Sequence, residues 1–406
     1  MVTLQVILIC TLVVCFGSAF YWLVANWRIR RAMSFSISMT EGVGLPEPSN
    51  GWPSVTVVVP AHNEEELIER CARGIMNQHY PALRAVFVLD RCTDQTEARL
   101  RALVEADERI SVLVIDDCPD DWAGKCNAAH HGAQLALEQG AKYLLFTDAD
   151  TEFDQDLVRS SIALALREEA DLLSVLSTLT TTRWEEKVVQ PVAILNLVRM
   201  HPTDLVNRRN RPRAFANGQF MLFSRGIYEA IGGHQEVHED LLEDIAFARR
   251  VRRHRGRGII VNADGMLTVS MYDSLQAMRE GWKRIFIEVA RRQPHRLVNW
   301  GIRSISVGVL IPVVQAVTVA LGTILFSRGD HGALILALSA VAPGLLVQFM
   351  ALRQFYAAAG TPLAGLLGYP IGCLVVGQLM LAGASDLRNG RPIRWGGREY
   401  VLTPPR

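Results

Sequence analysis

The sequence predicts an α/β domain, with a mostly parallel mixed sheet flanked by helices, that is joined to transmembrane helices. Short apolar runs alternate with amphipathic stretches of about 15 residues, which is the pattern of βαβ units. Half of the 406 residues are hydrophobic, a high share for a soluble enzyme, and long apolar runs lie near both ends of the chain. The formal net charge of +1 gives no reason to expect a nucleic-acid partner.

The first apolar run, over residues 4–25, contains no charged residue and is as long as the roughly 20 residues that a helix needs to cross a bilayer. The residues before it lack the basic start of a cleaved signal peptide. Arg28, Arg30 and Arg31 follow it directly. This charge pattern predicts a retained anchor whose N-terminus lies outside and whose second flank lies in the cytoplasm.

Four apolar runs predict buried strands, over 55–60, 85–89, 110–115 and 143–146. Polar side chains follow three of them: Asn63 and Glu64 after the first, Asp90 after the second, and Asp148 and Asp150 after the fourth. Because parallel α/β sheets bind ligands at the carboxyl ends of their strands, these residues predict a nucleotide site. For Asn63 and Glu64, capping of the following helix is the alternative.

The pair Asp148 and Asp150 has the spacing that directs two side chains to the same side of a strand. Two carboxylates at one point repel each other unless a cation lies between them, and a hard divalent ion suits that position. The alternative is an acidic turn that caps the next helix, with Asp154 and Asp156 as further first-turn acids.

Other polar residues stand at predicted helix starts. Lys125, after Gly124, could neutralise a diphosphate or be a solvated surface lysine. Glu243 and Asp244 open a predicted helix. They are either partners of the helix dipole or the place of a catalytic general base. Neither a GxGxxG nor a P-loop motif is present. The seven cysteines form no CxxC pair, which predicts reduced thiols.

Towards the C-terminus, residues 278–303 combine aromatic and basic side chains, which predicts an amphipathic helix in the headgroup region; RNA binding is the alternative. Three further apolar runs, over 305–326, 333–352 and 363–382, are long enough to span a bilayer. With the large domain inside, three more spans would leave the basic tail outside, against the positive-inside tendency. Either one segment is re-entrant or the tendency fails here.

Taken together, these motifs resemble a membrane-anchored family 2 glycosyltransferase with a GT-A catalytic domain. The resemblance rests on motifs in the expected order: residues 59–64, 90–94, Gly124-Lys125, Asp148-Ala-Asp150 and Leu242-Glu-Asp244. One departure is Leu89 before Asp90, where the family often has a second aspartate. Later motifs resemble the branch that glycosylates lipids, which includes ceramide glucosyltransferase and carotenoid- and hopanoid-associated enzymes: Asn217-Gly-Gln-Phe, Gly232-Gly233, Met271-Tyr272 and residues 394–400.

The resemblance implies inverting transfer of a single sugar from a nucleotide-diphosphate sugar, expected to be a UDP-sugar, to a hydroxyl of a membrane lipid. It implies that Asp244, beside Glu243, is the catalytic base, and that Asp150 with Asp148 holds Mg²⁺ or Mn²⁺. The implied donor-binding residues are Pro60, Asn63, Glu64, Asp90, Lys125 and Asp148. Those implied to close over the acceptor or the diphosphate are Gly218, Trp282, Lys283 and Arg284.

We therefore expect a multi-pass protein of the cell membrane with a cytoplasmic catalytic domain and no nucleic-acid partner. Its expected parts are an N-terminal transmembrane anchor over 1–27, a linker over 28–50, a GT-A catalytic domain over 51–270, amphipathic interfacial helices over 271–303, three C-terminal transmembrane helices over 304–384 and a basic tail over 385–406. Two alternatives remain: a processive polysaccharide synthase and a non-catalytic membrane scaffold that binds a nucleotide sugar. The first is disfavoured because Gln276 and Arg279 precede Glu280 rather than the tryptophan of the Gln-x-x-Arg-Trp motif.

Overall fold

A computed structural model describes residues 2–105, 107–210, 213–272, 274–395 and 398–402. The strands are β1 (Ile37–Ser38), β2 (Val55–Ala61), β3 (Leu83–Asp90), β4 (Ile110–Ile115), β5 (Tyr143–Thr147), β6 (Thr151–Phe153), β7 (Leu172–Leu176), β8 (Thr178–Leu179), β9 (Phe220–Ser224), β10 (Gly258–Asn262), β11 (Leu267–Val269), β12 (Ile393–Trp395) and β13 (Arg398–Tyr400). The helices are α1 (Val2–Ser34), α2 (Thr40–Val43), α3 (Ile68–Met76), α4 (Thr96–Val104), α5 (Gly124–Glu138), α6 (Leu157–Arg167), α7 (Trp184–Val188), α8 (Gln190–Met200), α9 (Arg225–Ala230), α10 (Glu243–Arg253), α11 (Leu275–Val289), α12 (Pro294–Ile305), α13 (Ile311–Ser327), α14 (His331–Ala358) and α15 (Tyr369–Asn389).

The central sheet has eight strands in the order β1-β10-β7-β9-β5-β2-β3-β4. The two pairs that β9 makes, with β5 and with β7, are antiparallel, and the other pairs are parallel. Because β5, β2 and β3 are adjacent and parallel, their carboxyl ends meet at one edge of the sheet. The predicted mostly parallel mixed sheet is therefore confirmed, and the four predicted strands are present as β2, β3, β4 and β5.

The run of valines in β2 suits a strand that is covered on both faces. Val57 and Val59 are fully buried in the core on one face, while Val58 is buried against α5 on the other. Gly132 of α5 permits this close packing, because a Cβ there would lie 2.9 Å from Val88 Cγ2. Tight packing of α5 on the sheet fixes the position of the start of that helix beside the strand ends.

Two stretches differ from the sequence-based expectation. The expected linker over 28–50 contains helix and strand up to Val43: β1 extends the sheet by pairing with β10, and Met39 is fully buried. Gly42 lets α2 contact Ser160 of α6 closely. The run over residues 215–223, whose apolar side chains predict a strand opened by a glycine, forms a strand only from Phe220, because Asn217 turns its amide groups to β7 rather than to a strand partner.

Within the described part of the chain, four helical segments are long and apolar enough to cross a membrane: Val2–Ser34, Pro294–Ser327, His331–Ala358 and Leu363–Asn389. The second is a continuous helix in which the π-helical turn Ser306–Leu310 joins α12 to α13. The amphipathic stretch expected before this span therefore consists of α11 and of α12, and α12 runs into the span without a break. In α11 the apolar face is buried, including Met278, Trp282 and Phe286.

Candidate active site

The Asp148–Asp150 motif lies in a turn between β5 and β6. The Thr151 hydroxyl donates a hydrogen bond to the Asp148 carbonyl oxygen at 2.7 Å. The Thr147 hydroxyl lies 3.1 Å from the Thr151 hydroxyl and donates to the Gln219 carbonyl at 2.8 Å. The two carboxylates are thus held by a turn with buried threonine contacts, not by the pleat of a strand as the spacing alone predicted.

Lys125 connects this turn to a distant part of the chain. Its ammonium lies 2.7 Å from Asp148 Oδ1 and 2.7 Å from Glu243 Oε1. Burial by itself lowers the pKa of Lys125, but the two carboxylates outweigh burial and raise this pKa above its ordinary value. Lys125 is therefore a charged bridge between the carboxyl end of β5 and the start of α10.

Asp244 lies next to Glu243 in the first turn of α10. The Gly218 N–H donates to Asp244 Oδ2 at 2.9 Å, and the Ile245 N–H donates to Asp244 Oδ1 at 2.6 Å. Burial, followed by the charge of Glu243, raises the pKa of Asp244 to about 7, although Lys125 and the two N–H donors oppose the rise. A carboxylate with such a pKa can accept a proton near neutral pH.

Gly218 lies at the centre of this charged group. A Cβ atom there would be 3.3 Å from Glu243 Oε1, 3.3 Å from Lys125 Nζ and 3.4 Å from Asp244 Oδ2. The absence of a side chain lets the backbone N–H approach Asp244.

Asn63 and Glu64 follow the end of β2 as predicted. Asn63 has a positive φ of 56°, and its Oδ1 accepts a hydrogen bond from the Thr93 N–H at 2.8 Å. Burial, followed by the charges of Asp148 and Asp94, raises the pKa of Glu64 to about 7. Glu64 therefore faces the same acidic region as the Asp148–Asp150 turn. Pro60, half-buried within β2, lies just before these two residues.

Asp90 ends β3 and is 3% exposed. The adjacent Arg91 donates to both of its carboxylate oxygens, at 2.8 and 2.7 Å. A Cβ on Gly124 would lie 2.9 Å from Arg91 Nη2 and 3.0 Å from Asp90 Oδ2, so this pair contacts the start of α5. The structure brings Asp90 to the predicted edge of the sheet, but with a cationic partner that the sequence reasoning did not assign.

Asp150 has the properties of a carboxylate that binds a cation. Its Oδ1 is buried and has no hydrogen-bond partner among the described residues. Burial, followed by the charges of Asp148 and Glu64, raises its pKa well above the ordinary value. A divalent cation would supply a partner and offset this repulsion. Among the described residues, no group of three or more His, Cys, Asp or Glu side chains is placed so that it could hold a metal ion.

The three predicted closure residues on α11 lie in different surroundings. Trp282 is 2% exposed and packs against Phe286 with ring centroids 5.6 Å apart. Lys283 Nζ donates to Asp386 Oδ2 of α15 at 2.7 Å, and Arg284 Nη1 donates to the Leu241 carbonyl at 3.1 Å. Arg284 thus reaches the segment just before α10, whereas Lys283 is paired with the last long helix.

Tyr272 was missed as a site residue. Burial raises the pKa of Tyr272 to about 12; the charge of Arg284 acts in the opposite direction and that of Asp150 adds to the rise. A Cβ on Gly281 would overlap the Tyr272 ring, so the glycine before Trp282 makes room for it. Gly281, directly before Trp282, is the sequence signal from which a bulky neighbour such as Tyr272 could have been predicted. The neighbouring residue of the motif, Asp273, lies outside the described residues, as do Gly396 and Gly397 of the C-terminal motif.

Residues 56–232 match the model of the family described as Glycosyl transferase family 2. This matched segment covers less than half of the 406 residues. The predicted fold class, a mostly parallel mixed sheet flanked by helices together with long apolar helices, is confirmed by the strand order and the helices. Within the matched segment lie Asn63, Glu64, Asp90, Lys125 and the Asp148–Asp150 turn. Glu243 and Asp244 follow the matched segment.

Among curated relatives, the 4,4'-diaponeurosporenoate glycosyltransferase of Staphylococcus aureus strain bovine RF122 / ET3-1 is 28% identical over 235 residues, which cover 57% of this chain and 60% of the relative. The protein of the same description from strain MRSA252 is 27% identical over the same shares. The match thus spans 60% of the length of these relatives. Among solved structures, a mannosyltransferase from Pyrobaculum calidifontis in complex with GDP-Man and Mn²⁺ is 20% identical, with a TM-score of 0.47 over 94% of this chain and 98% of that chain.

Proposed function

We propose that the protein is an inverting glycosyltransferase that moves a single sugar from a nucleotide-diphosphate sugar, a UDP-sugar, to a hydroxyl group of a membrane lipid. One observation carries the proposal: Lys125 contacts both Asp148 and Glu243 at 2.7 Å. The acidic turn and the acidic start of α10 therefore belong to one charged site, in which a donor diphosphate and a general base could act on the same sugar.

On the donor side, Asp150 with Asp148 would hold Mg²⁺ or Mn²⁺. The ion would supply positive charge against the diphosphate as it leaves the sugar. Lys125 adds a fixed positive charge at the same edge of the sheet. Because Lys125 is held by two carboxylates before any donor binds, little reorganisation is needed to stabilise a leaving diphosphate.

On the acceptor side, Asp244 would take the proton of the lipid hydroxyl as that hydroxyl attacks the sugar carbon. The Gly218 and Ile245 N–H groups orient its two oxygens. Glu243 neutralises Lys125 and raises the pKa of Asp244, which supports a role in tuning the base. Attack from the face opposite the leaving diphosphate inverts the configuration at the sugar carbon.

The nucleoside would bind along the carboxyl ends of β2 and β3, next to Pro60, Asn63, Glu64 and Asp90. Asn63 and Asp90 are already ordered by hydrogen bonds to Thr93 and Arg91. The pocket therefore needs few conformational changes to accept a base and a ribose.

A lipid acceptor is supported by the four long apolar segments and by α11, which carries Trp282 and Arg284 between the site and those helices. The names of the carotenoid glycosyltransferase relatives agree with an apolar acceptor. The arginines after the first apolar segment favour a cytoplasmic catalytic domain, where a soluble donor is available.

The test is to supply membranes that contain the full chain with labelled UDP-sugars and a lipid extract, and to analyse the products by mass spectrometry. Membranes with Asp244→Asn are the matched control. We expect one added sugar per lipid, only with the unmodified chain. Many sugars per acceptor would indicate a processive synthase instead, and donor binding without any product would indicate a scaffold.

A further inference from the structure

The helices α1, α13 and α14 pack together as an apolar bundle. Contacts along α1 show in which direction α13 runs through this bundle. Near the start of α1, Gln5 Nε2 donates to Asp330 Oδ2 at 3.2 Å, in the turn that follows α13. Further along α1, Cys15 Sγ lies 3.4 Å from the Thr318 hydroxyl. Later residues of α1 therefore meet earlier residues of α13, so the two helices are antiparallel.

The next helix, α14, returns in the direction of α1. A Cβ on Gly344 would lie 3.4 Å from Ala19 Cβ. Ten residues later along α14, Gln354 Nε2 lies 3.3 Å from Asn26 Oδ1. The end of α14 is therefore level with the end of α1 that enters the α/β domain.

The exposed side chains on the helix Pro294–Ser327 become more apolar along its length. His295, Asn299 and Arg303 are exposed in its first part, with Ile302 among them, whereas Leu310 and Val313 are 54% and 56% exposed further on. A lipid-facing surface begins near that change. From there to the end of α13 the helix rises about 27 Å at 1.5 Å per residue, which is close to the thickness of a hydrocarbon core of about 30 Å.

The last long helix begins at this same level. Tyr369, its first residue, packs against Trp22 of α1 with ring centroids 6.1 Å apart. The Ser304 hydroxyl donates to the Cys373 carbonyl at 3.0 Å, and Gly308 contacts the Cys373 side chain. Hence α15 starts where α1 and the helix Pro294–Ser327 leave the lipid-facing region.

From that start α15 runs away from the bundle. It lies antiparallel to α12, and a Cβ on Gly383 would be 3.0 Å from Ile287 Cγ1 of α11. Near its end, Asp386 forms the 2.7 Å ion pair with Lys283 of α11. The distance from Tyr369 to Asp386 is about 25 Å at 1.5 Å per residue, and it is covered beside α12 and α11 rather than beside α13 or α14.

The exposed face of α15 agrees with this direction. Ile371 and Leu374, in its first turns, are 55% and 38% exposed. Further on, the exposed side chains include Gln378, Ser385 and Arg388. An apolar beginning followed by a polar face fits a helix that leaves the edge of a bilayer, and it does not fit one that crosses a bilayer.

We propose that the chain crosses the membrane three times, through α1, α13 and α14, and that α15 lies at the membrane surface on the side of the catalytic domain. Its partner is the headgroup region of that leaflet, with Ile371 and Leu374 reaching the apolar edge. Arg388 and Arg391 then lie on the same side as the arginines that follow the first span, which satisfies the positive-inside tendency. This resolves the conflict between the count of spans and the basic tail, and it does not depend on the proposed catalytic activity.

The test is protease protection of epitope tags in sealed, inside-out membrane vesicles. One full chain carries the tag at its end, a second carries it between Arg328 and Gly329, and a third between His254 and Arg255 in the α/β domain. We expect the end tag to be digested together with the tag in the α/β domain, while the tag after Arg328 is protected until detergent is added. Protection of the end tag together with the tag after Arg328 would overturn the proposal.

A second measurement covers the case in which an inserted tag disturbs folding. The full chain is fused at its end either to a fluorescent protein that folds in the cytoplasm or to alkaline phosphatase, which is active only outside. If the N-terminus lies outside, four spans would place the fused end outside, where the phosphatase is active. Three spans would place the fused end in the cytoplasm, where the fluorescent protein folds. Active phosphatase without fluorescence would contradict the three-span arrangement.

Discussion

At the scale of single residues, the site is governed by an excess of buried negative charge that one lysine partly balances. Asp148 and Glu243 share Lys125, while Asp150 Oδ1 has no partner among the described residues. An ion pair of this kind is destabilising to break, because the remaining charge stays buried. The excess charge is better explained by a bound cation and diphosphate than by stability, since an unpaired buried carboxylate weakens the fold.

The raised pKa of Asp244 predicts the pH dependence of transfer. A general base must be ionised, and a pKa of about 7 means that its ionised fraction falls as the pH drops through neutrality. We expect kcat to fall on the acid side with a midpoint near pH 7. In Glu243→Gln the midpoint should move to lower pH, because the charge of Glu243 helps to raise this pKa. A rate that is flat through neutrality in both proteins would contradict the role of Asp244.

The close contacts of Gly218 predict the effect of a methyl group. In Gly218→Ala the new Cβ would lie 3.3 to 3.4 Å from Glu243, Lys125 and Asp244 and would displace the N–H donor. We expect kcat to fall at least about tenfold, the loss that follows a 1.4 kcal/mol rise in the barrier. Gly226→Ala is the matched control, because a Cβ there meets nothing within 4 Å. Equal rates in the two variants would show that Gly218 has no special role.

At the scale of elements, the strands that end at the site were predictable because apolar runs followed by polar residues are local patterns. A turn at Asp148–Asp150 was one of two alternatives that the sequence left open. It depends on the local hydrogen bond from Thr151 to Asp148 and on the long-range one from Thr147 to Gln219. The folding of the expected linker was missed for a related reason. Its glycines and prolines are typical of a linker, whereas Gly42 provides close packing against α6.

The ion pair between Lys283 and Asp386 could not be predicted from the sequence, because the two residues are 103 positions apart. If Lys283 only joins α11 to α15, Lys283→Ala should lower the apparent melting temperature and leave the KM for the donor unchanged. The charge exchange of Lys283→Asp with Asp386→Lys should restore the melting temperature. A raised donor KM that the exchange does not restore would instead support the predicted contact of Lys283 with the diphosphate.

At the scale of the whole molecule, the proposed arrangement has three membrane helices, with α11, α12 and α15 between these helices and the α/β domain. Composition alone identified four apolar segments, but it could not tell that the last one begins at the level of Trp22 and runs away from the bundle. That distinction lies in long-range contacts.

The three-span arrangement predicts how the membrane helices tolerate charge. Gln378 lies near the middle of α15, so a lysine there would be at the centre of the bilayer if α15 crossed it. We expect Gln378→Lys to insert and accumulate normally. Leu338→Lys, at an outward-facing position of α14 about midway between the start of that helix and the level of Trp22, should reduce insertion, because a charge at the bilayer centre costs about 3 kcal/mol. Equal loss of the two variants from membranes would argue for four spans.

The central claim is that Asp150 and Asp244 serve one reaction, the first through a metal ion and the second as the base. The most direct measurement is the rate of sugar transfer to lipid by purified Asp150→Ala and Asp244→Asn, each shown to be folded by its unchanged elution and thermal transition. We predict that both rates fall by at least about 100-fold, as expected for the loss of a general base or of electrostatic stabilisation. Transfer at the unmodified rate by either folded variant would contradict the assignment.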